Sequence, residues 1–187
     1  MSDKNWAKIV DGLTDDEAKY ALQLKRRLNR LTYQTQAQEE FITFVKHMWP
    51  DFIEGEHHKV FAKQLEDVKK GKSKRLIVNM PPRHTKSEFA SVFFPAWMMG
   101  INPKLKIIQA THTTELATGF GRKCKALVHS PQFREIFPKV KISPESQAAG
   151  RWNTVDGGEY FAAGVGAAIT GRGADLLIID DPHSEQD

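Results

Sequence analysis

The chain has 187 residues, 40% of them hydrophobic, which is enough to bury a sizeable core in one α/β domain. Its 27 basic and 23 acidic side chains leave a formal charge of +4, a lean toward polyanionic partners without the density of a dedicated nucleic-acid tail. A single cysteine, Cys124, excludes an internal disulfide, and no stretch approaches the length of a membrane span or a secretory leader, so a soluble, cytoplasmic protein is expected.

Taken in chain order, Thr14-Asp15-Asp16-Glu17 has capping-box spacing, and Tyr20, Leu24, Leu28 and Leu31 follow at helical period, so a first helix starts there. Lys25-Arg26-Arg27 on that helix reads as a solvated basic face, with DNA contact as the alternative. A second helix is expected over 36–48, with Phe41, Val45 and Trp49 on one face, ending before Pro50 because the residue ahead of a proline avoids helical geometry. Gly55-Glu56-His57-His58 precedes a third helix with Val60, Phe61, Leu65 and Val68, closing near Gly71. His57 and His58 point in different directions from such a helix and no acidic or thiol cluster completes a metal site, so packing or solvent is their expected role. Residues 1–71 thus form a helical lead-in, and 72–187 the core domain.

The apolar run Leu76-Ile77-Val78 predicts a strand, which delivers the loop Pro81-Pro82-Arg83-His84-Thr85-Lys86-Ser87. A loop ending in Lys-Ser offers backbone amides, an ammonium and a hydroxyl to a nucleotide's phosphates and Mg²⁺, although Met80 and Thr85 stand where the usual phosphate-loop pattern has glycine. The helix that follows, over 87–94, points its positive end at the phosphates, and Pro95 bends or restarts it before Gly100. Lys106 to Thr111 is a second strand; Thr113 and Thr114 lead into a helix through Val128, as caps or as contacts to DNA or nucleotide. Arg151 to Val155 and Glu159 to Ala163, joined by Asp156-Gly157-Gly158, read as a hairpin that adds antiparallel strands to the sheet. The glycine-rich stretch 164–173 precedes a strand instead of following one, so it is no phosphate-binding fingerprint and reads as a flexible loop. Finally, Leu176-Leu177-Ile178-Ile179 ends in Asp180-Asp181-Pro182. A buried parallel strand of this kind points two carboxylates into the crevice where α/β sheets bind ligands. Together with the Lys-Ser loop it supplies the metal and water chemistry of phosphoryl transfer, and the chain reads as an ATPase.

The run from Leu76 to Trp97, containing Pro-Pro-Arg-His-Thr-Lys-Ser-Glu, resembles the Walker A region of the large terminase subunit of tailed bacteriophages. Gly171-Arg172-Gly173-Ala174-Asp175 through Asp181-Pro182-His183 resembles its Walker B region, and the similarity extends from about Gln34 to the last residue. The resemblance implies an α/β fold with a mostly parallel central sheet of the P-loop NTPase (RecA/ASCE-like) type. It also implies an ATPase motor that drives double-stranded DNA into a preformed capsid in the host cytoplasm, normally followed by a nuclease domain that is absent from these residues. The partners it implies are double-stranded DNA, the portal protein, the small terminase subunit and further copies of the chain in a ring.

On this resemblance ATP is held by Pro82, Arg83, His84, Thr85, Lys86 and Ser87, while Ser87 and Asp180 hold Mg²⁺. Arg83 takes the place of the family's phosphate-loop arginine, three residues before Lys86 where many relatives have four. Asp181 stands where relatives carry the glutamate that orients the attacking water, one methylene shorter, with Glu185 as the alternative base. Arg172 matches an arginine that reaches a neighbouring subunit's nucleotide; its alternative is a loop salt bridge, with Asp175 as the expected partner, since a permanently charged planar guanidinium suits either role. One of Gln34, Gln36 and Gln38 is the candidate for adenine. Two other functions stay open on the sequence: a helicase-like DNA translocase, and a nucleotide-, portal- or DNA-binding module without turnover.

Overall fold

The computed structural model describes residues 12–146, 148–167, 169 and 171–183, which fall into two compact units, Met1–Gln36 and Ala37–Asp187. In the first unit, helix α1 (Asp15–Glu39, its last residues belonging to the second unit) starts where the capping pattern puts it. The Thr14 amide donates to Glu17 Oε2 at 2.9 Å, and the Glu17 amide donates to Thr14 Oγ1 at 3.4 Å. The periodic side chains Tyr20, Leu24, Leu28 and Leu31 lie exposed, so the pattern forecast the helix and not its burial.

The second unit holds the rest: α2 (Phe41–Met48), α3 (Glu56–Lys69), a π-helical segment (Glu88–Phe93) running into α4 (Phe94–Ile101), β1 (Lys106–Thr111), α5 (Thr114–His129), α6 (Pro131–Ile136), β2 (Arg151–Asn153), β3 (Glu159–Gly164) and β4 (Leu176–Ile179). The chain is therefore α/β, and the expected division between residues 71 and 72 falls inside this unit, because α2 and α3 pack into the same core as the sheet. The expected helix over 36–48 is instead broken at Glu40, whose extended backbone (φ −106°, ψ 115°) separates α1 from α2.

That core is aromatic. Phe41 is wholly buried and meets Phe89, Phe94 and Trp97 edge-on at centroid distances of 5.5, 5.9 and 5.3 Å. Trp97 donates its indole N–H to the Ala37 carbonyl at 2.9 Å, which ties the helix after the Lys-Ser loop to the end of α1. Helical geometry runs without a break from Lys86 to Ile101 because the wider π turn, with the Phe94 amide bonded to Phe89 O, carries the chain past Pro95, which has no N–H to donate.

The sheet has the order β2-β3-β1-β4, with β1 parallel to both β3 and β4, and β2 antiparallel to β3. Of the expected hairpin, only β2 is antiparallel to the neighbours; β3 joins the parallel set because its other edge pairs with β1. Gly157, at φ 94°, makes the turn, and a Cβ on Gly158 would lie 2.4 Å from the Pro103 carbonyl. The expected strand at Leu76-Ile77-Val78 does not join the sheet among the described residues. It keeps the alternation of a strand, with Leu76, Val78 and Met80 packed on the core and Ile77 88% exposed, but packing satisfies the side-chain pattern without supplying the neighbouring backbone that a ladder requires. No described helix is long and apolar enough to cross a membrane.

Because Phe41 joins α2 to the helix that follows the Lys-Ser loop, Phe41→Ala is expected to destabilise the chain by about 3–5 kcal/mol in urea unfolding. A loss below 1 kcal/mol would mean that this cluster is not the centre of the core.

Candidate functional site

Parallel strands deliver their following loops to one edge of a sheet, and here that edge carries the chemistry. The Asp180 amide donates to Ala110 O at 2.9 Å and the His112 amide donates to Asp181 O at 3.2 Å, so the ends of β1 and β4 are clamped side by side. Against them lies the loop 81–87. Together they line a crevice of about 1180 Å³ whose walls include Pro82, Arg83, Thr85, Lys86, Ser87, His112 and Asp181, room enough for a nucleotide-sized ligand.

Residues 95 apart in sequence meet here: Lys86 Nζ donates to Asp181 Oδ1 at 2.6 Å and lies 3.8 Å from Asp180 Oδ1. The hydrogen bond to Asp181 raises the pKa of the Lys86 ammonium above its ordinary value, and burial opposes that rise only in part. Lys86 is thus a fixed positive charge at the start of a 16-residue helical run (86–101), whose first amides and dipole add to the same anion-favouring field. Ser87 lines the crevice next to it, while Glu88 is taken by an ion pair with Lys123.

Asp180 is buried and Asp181 is exposed, so the two carboxylates differ in what they can do. Asp180 is held from behind: Gln109 Nε2 donates to Ser91 Oγ at 3.1 Å, and Ser91 Oγ donates to Asp180 Oδ2 at 2.8 Å. This leaves Oδ1 facing Lys86. Ser91 and Gln109 escaped the sequence reading, for a serine inside a helix and a glutamine inside a strand carry no pattern; a polar residue in the apolar run Ile107-Ile108-Gln109-Ala110 was the one available sign. Ser87, Asp180 and Asp181 present oxygen donors only, the donor type that a Mg²⁺ arriving with phosphates takes from a protein.

Backbone strain gathers at the same place. Among the described residues the non-glycine positions in the left-handed region are Arg83 (φ 62°), Thr85 (φ 62°) and Asp181 (φ 43°), and all three line this crevice. Each costs roughly 1–3 kcal/mol, and such strain persists where the surroundings over-determine it, most often at functional sites.

Other candidates lie elsewhere. Arg172 is held at the opposite edge of the sheet, since Glu159, which it meets at 3.2 Å, opens β3 opposite Lys106 at the start of β1. Its guanidinium also covers the Phe161 ring at 4.0 Å, and Glu159 binds Arg151 as well. Asp175, the expected partner, instead accepts the Lys106 amide at 2.8 Å. Gln38 donates to the Ile136 carbonyl at 2.6 Å, while Gln34 and Gln36 belong to the first unit. Glu185 lies outside the described residues. Thr113 caps α5, accepting the Leu116 amide at 3.2 Å. His58, expected to serve packing or solvent, is buried with its Nε2 2.7 Å from Thr85 Oγ1.

Comparison of the chain with models of known protein families, with curated proteins and with solved structures gave no match.

If Ser91 holds the buried Asp180 carboxylate, Ser91→Ala leaves an acceptor short of a partner and is expected to destabilise the chain by about 1–3 kcal/mol in urea unfolding. An unchanged midpoint would remove Ser91 from that role.

Proposed function

We propose that this chain is the ATP-hydrolysing domain of a DNA-packaging motor of the large terminase type, with the mostly parallel sheet of a P-loop NTPase (RecA/ASCE-like) core. The observation that carries this is the meeting of Lys86 with Asp180 and Asp181 at the carboxyl edge of the parallel strands. The resemblance of Leu76 to Trp97 and of Gly171 to His183 to the Walker regions supports the same reading.

In this reading the amides of residues 83–87 and the Lys86 ammonium receive the β and γ phosphates. Ser87 and Asp180 Oδ1 would hold Mg²⁺, which when bound would neutralise phosphate charge. Lys86 cannot serve Asp181 and a phosphate fully at once. Arrival of the nucleotide draws the ammonium away from Asp181 and leaves that exposed carboxylate to orient the attacking water. Arg83 adds positive charge beside the γ-phosphate, where charge spreads over the phosphoryl oxygens. Arg172, set at the far edge of the sheet, plays no part in its own subunit's site; reaching a neighbour's nucleotide in a ring would require it to leave Glu159 and Phe161. Double-stranded DNA, the portal and the small terminase subunit belong to this proposal through the resemblance alone.

Calorimetric titration with ATP and Mg²⁺ tests the binding step: Lys86→Ala is expected to weaken affinity at least tenfold, as loss of a hydrogen bond to a charged group does. Unchanged affinity would contradict the phosphate-loop assignment. In a hydrolysis assay Asp181→Asn is expected to bind ATP normally and to turn over roughly 10²-fold more slowly or worse, and double-stranded DNA is expected to stimulate the parent. Equal turnover by Asp181→Asn would move the water-orienting role to another residue.

A further inference from the structure

Thr85 occupies a position that suits glycine. Its φ of 62° lies in the left-handed region, where a β-branched side chain is strained, and its neighbour but one, Arg83, has the same φ. A loop of this kind needs an external hold, and the structure contains one. The Gly55 amide donates to His58 Nδ1 at 2.9 Å, which makes Nδ1 an acceptor and places the ring proton on Nε2. His58 Nε2 therefore donates to Thr85 Oγ1 at 2.7 Å, and Thr85 Oγ1 in turn donates to the His84 carbonyl at 2.6 Å. Each donor in this series has one acceptor, and the direction of every bond follows from the first. The ring itself is wedged between Phe52 and Phe89, at centroid distances of 4.8 and 5.3 Å.

We propose that His58 is a positioning residue for nucleotide binding: as a neutral Nε2–H donor it holds Thr85, and with it the amides leading to Lys86, in the conformation that receives phosphate. The proposal rests on the phosphate-loop reading above. His58 touches no phosphate in this role; it acts through Thr85, and the need for it comes from having threonine where glycine would be unstrained.

The neutral form is required at Nδ1, since a proton there would turn the Gly55 amide from a donor with a partner into one facing another donor, whereas Nε2 carries its proton in either form. The charged and titratable groups around the ring are His57 beside it on α3, at a centroid distance of 3.8 Å, Glu54 in the preceding loop, and His84 in the phosphate loop. Burial lowers the pKa of His58 below its ordinary value, the two histidines lower it further, and Glu54 works against them. A depressed folded-state pKa means that the Gly55–Nδ1 bond that orients the ring toward Thr85 is complete above the ordinary value near 6.5 and is lost as pH falls through the lower, folded value.

The test is a calorimetric titration with MgATP between pH 5 and 8. His58→Phe keeps the ring packing and removes the donor; it is expected to bind roughly tenfold more weakly than the parent at pH 7.5. His58→Gln places an amide N–H where Nε2 stands and cannot titrate, so it is expected to retain affinity and to lose the part of the parent's acid-side weakening that His58 causes. In a Thr85→Gly background the strained residue and its hydroxyl are both gone, and His58→Phe is expected to cost little there. Thr85→Val, which removes only the hydroxyl, should match His58→Phe and serves if that variant does not fold. Loss of equal size in the Thr85 and Thr85→Gly backgrounds, or no loss in either, overturns the positioning role. Lys86→Ala separates the two ideas: if it loses binding while His58→Phe does not, only the positioning role fails, and if it binds like the parent, the phosphate-loop reading fails and the positioning role with it.

Discussion

Lys86 brings its ammonium to within 2.6 Å of one carboxylate and 3.8 Å of another, and the rest of the functional edge is organised around that meeting. The lysine comes from the start of a helix and the carboxylates from the end of a strand, so neither element can shift without opposing charges being separated in a partly buried crevice. Asp180 has least freedom. A carboxylate taken out of water requires hydrogen bonds or an opposite charge, and it has Ser91 on one oxygen and Lys86 facing the other. The parallel pairing of β1 with β4 fixes the height at which Asp180 leaves the sheet, and the aromatic cluster around Phe41 fixes the helix that bears Lys86.

The same edge carries strain that the surrounding contacts hold in place. Arg83, Thr85 and Asp181 adopt a backbone region that glycine enters freely and other residues do not. Two of them are tied by specific contacts, Thr85 by His58 and Asp181 by the His112 amide and Lys86. A loop pre-set in this way has less ordering left to do when an anion arrives, which is how a rigid site gains affinity without further contacts.

Much of this was legible in the sequence, where local chemistry decides structure. Thr14 and Glu17 cap α1, Asp156-Gly157-Gly158 turns β2 into β3, and Leu176 to Ile179 forms a strand that ends in two aspartates, all as residue type and spacing suggest. What failed depended on partners far away in the chain. Leu76 to Met80 has a strand's alternation but no ladder among the described residues, because no property of those residues says whether another backbone lies alongside. Tyr20, Leu24, Leu28 and Leu31 have a helix's period but lie exposed, because periodicity reports a face and not what covers it. In the site, Lys86, Asp180 and Asp181 announced themselves by charge at the ends of apolar runs. Ser91, Gln109 and His58 act on other protein groups, and only three-dimensional proximity reveals that Ser91 backs Asp180 or that His58 reaches Thr85 across 27 residues.

The account turns on Lys86 exchanging a carboxylate for a phosphate. Its most direct test is a crystal structure of the protein with ADP, Mg²⁺ and a γ-phosphate mimic. The account requires the phosphates to lie along the amides of residues 83–87, with Lys86 Nζ within hydrogen-bond reach of them and withdrawn from Asp181. Nucleotide bound elsewhere, or bound here with the Lys86–Asp181 contact still closed, would contradict it.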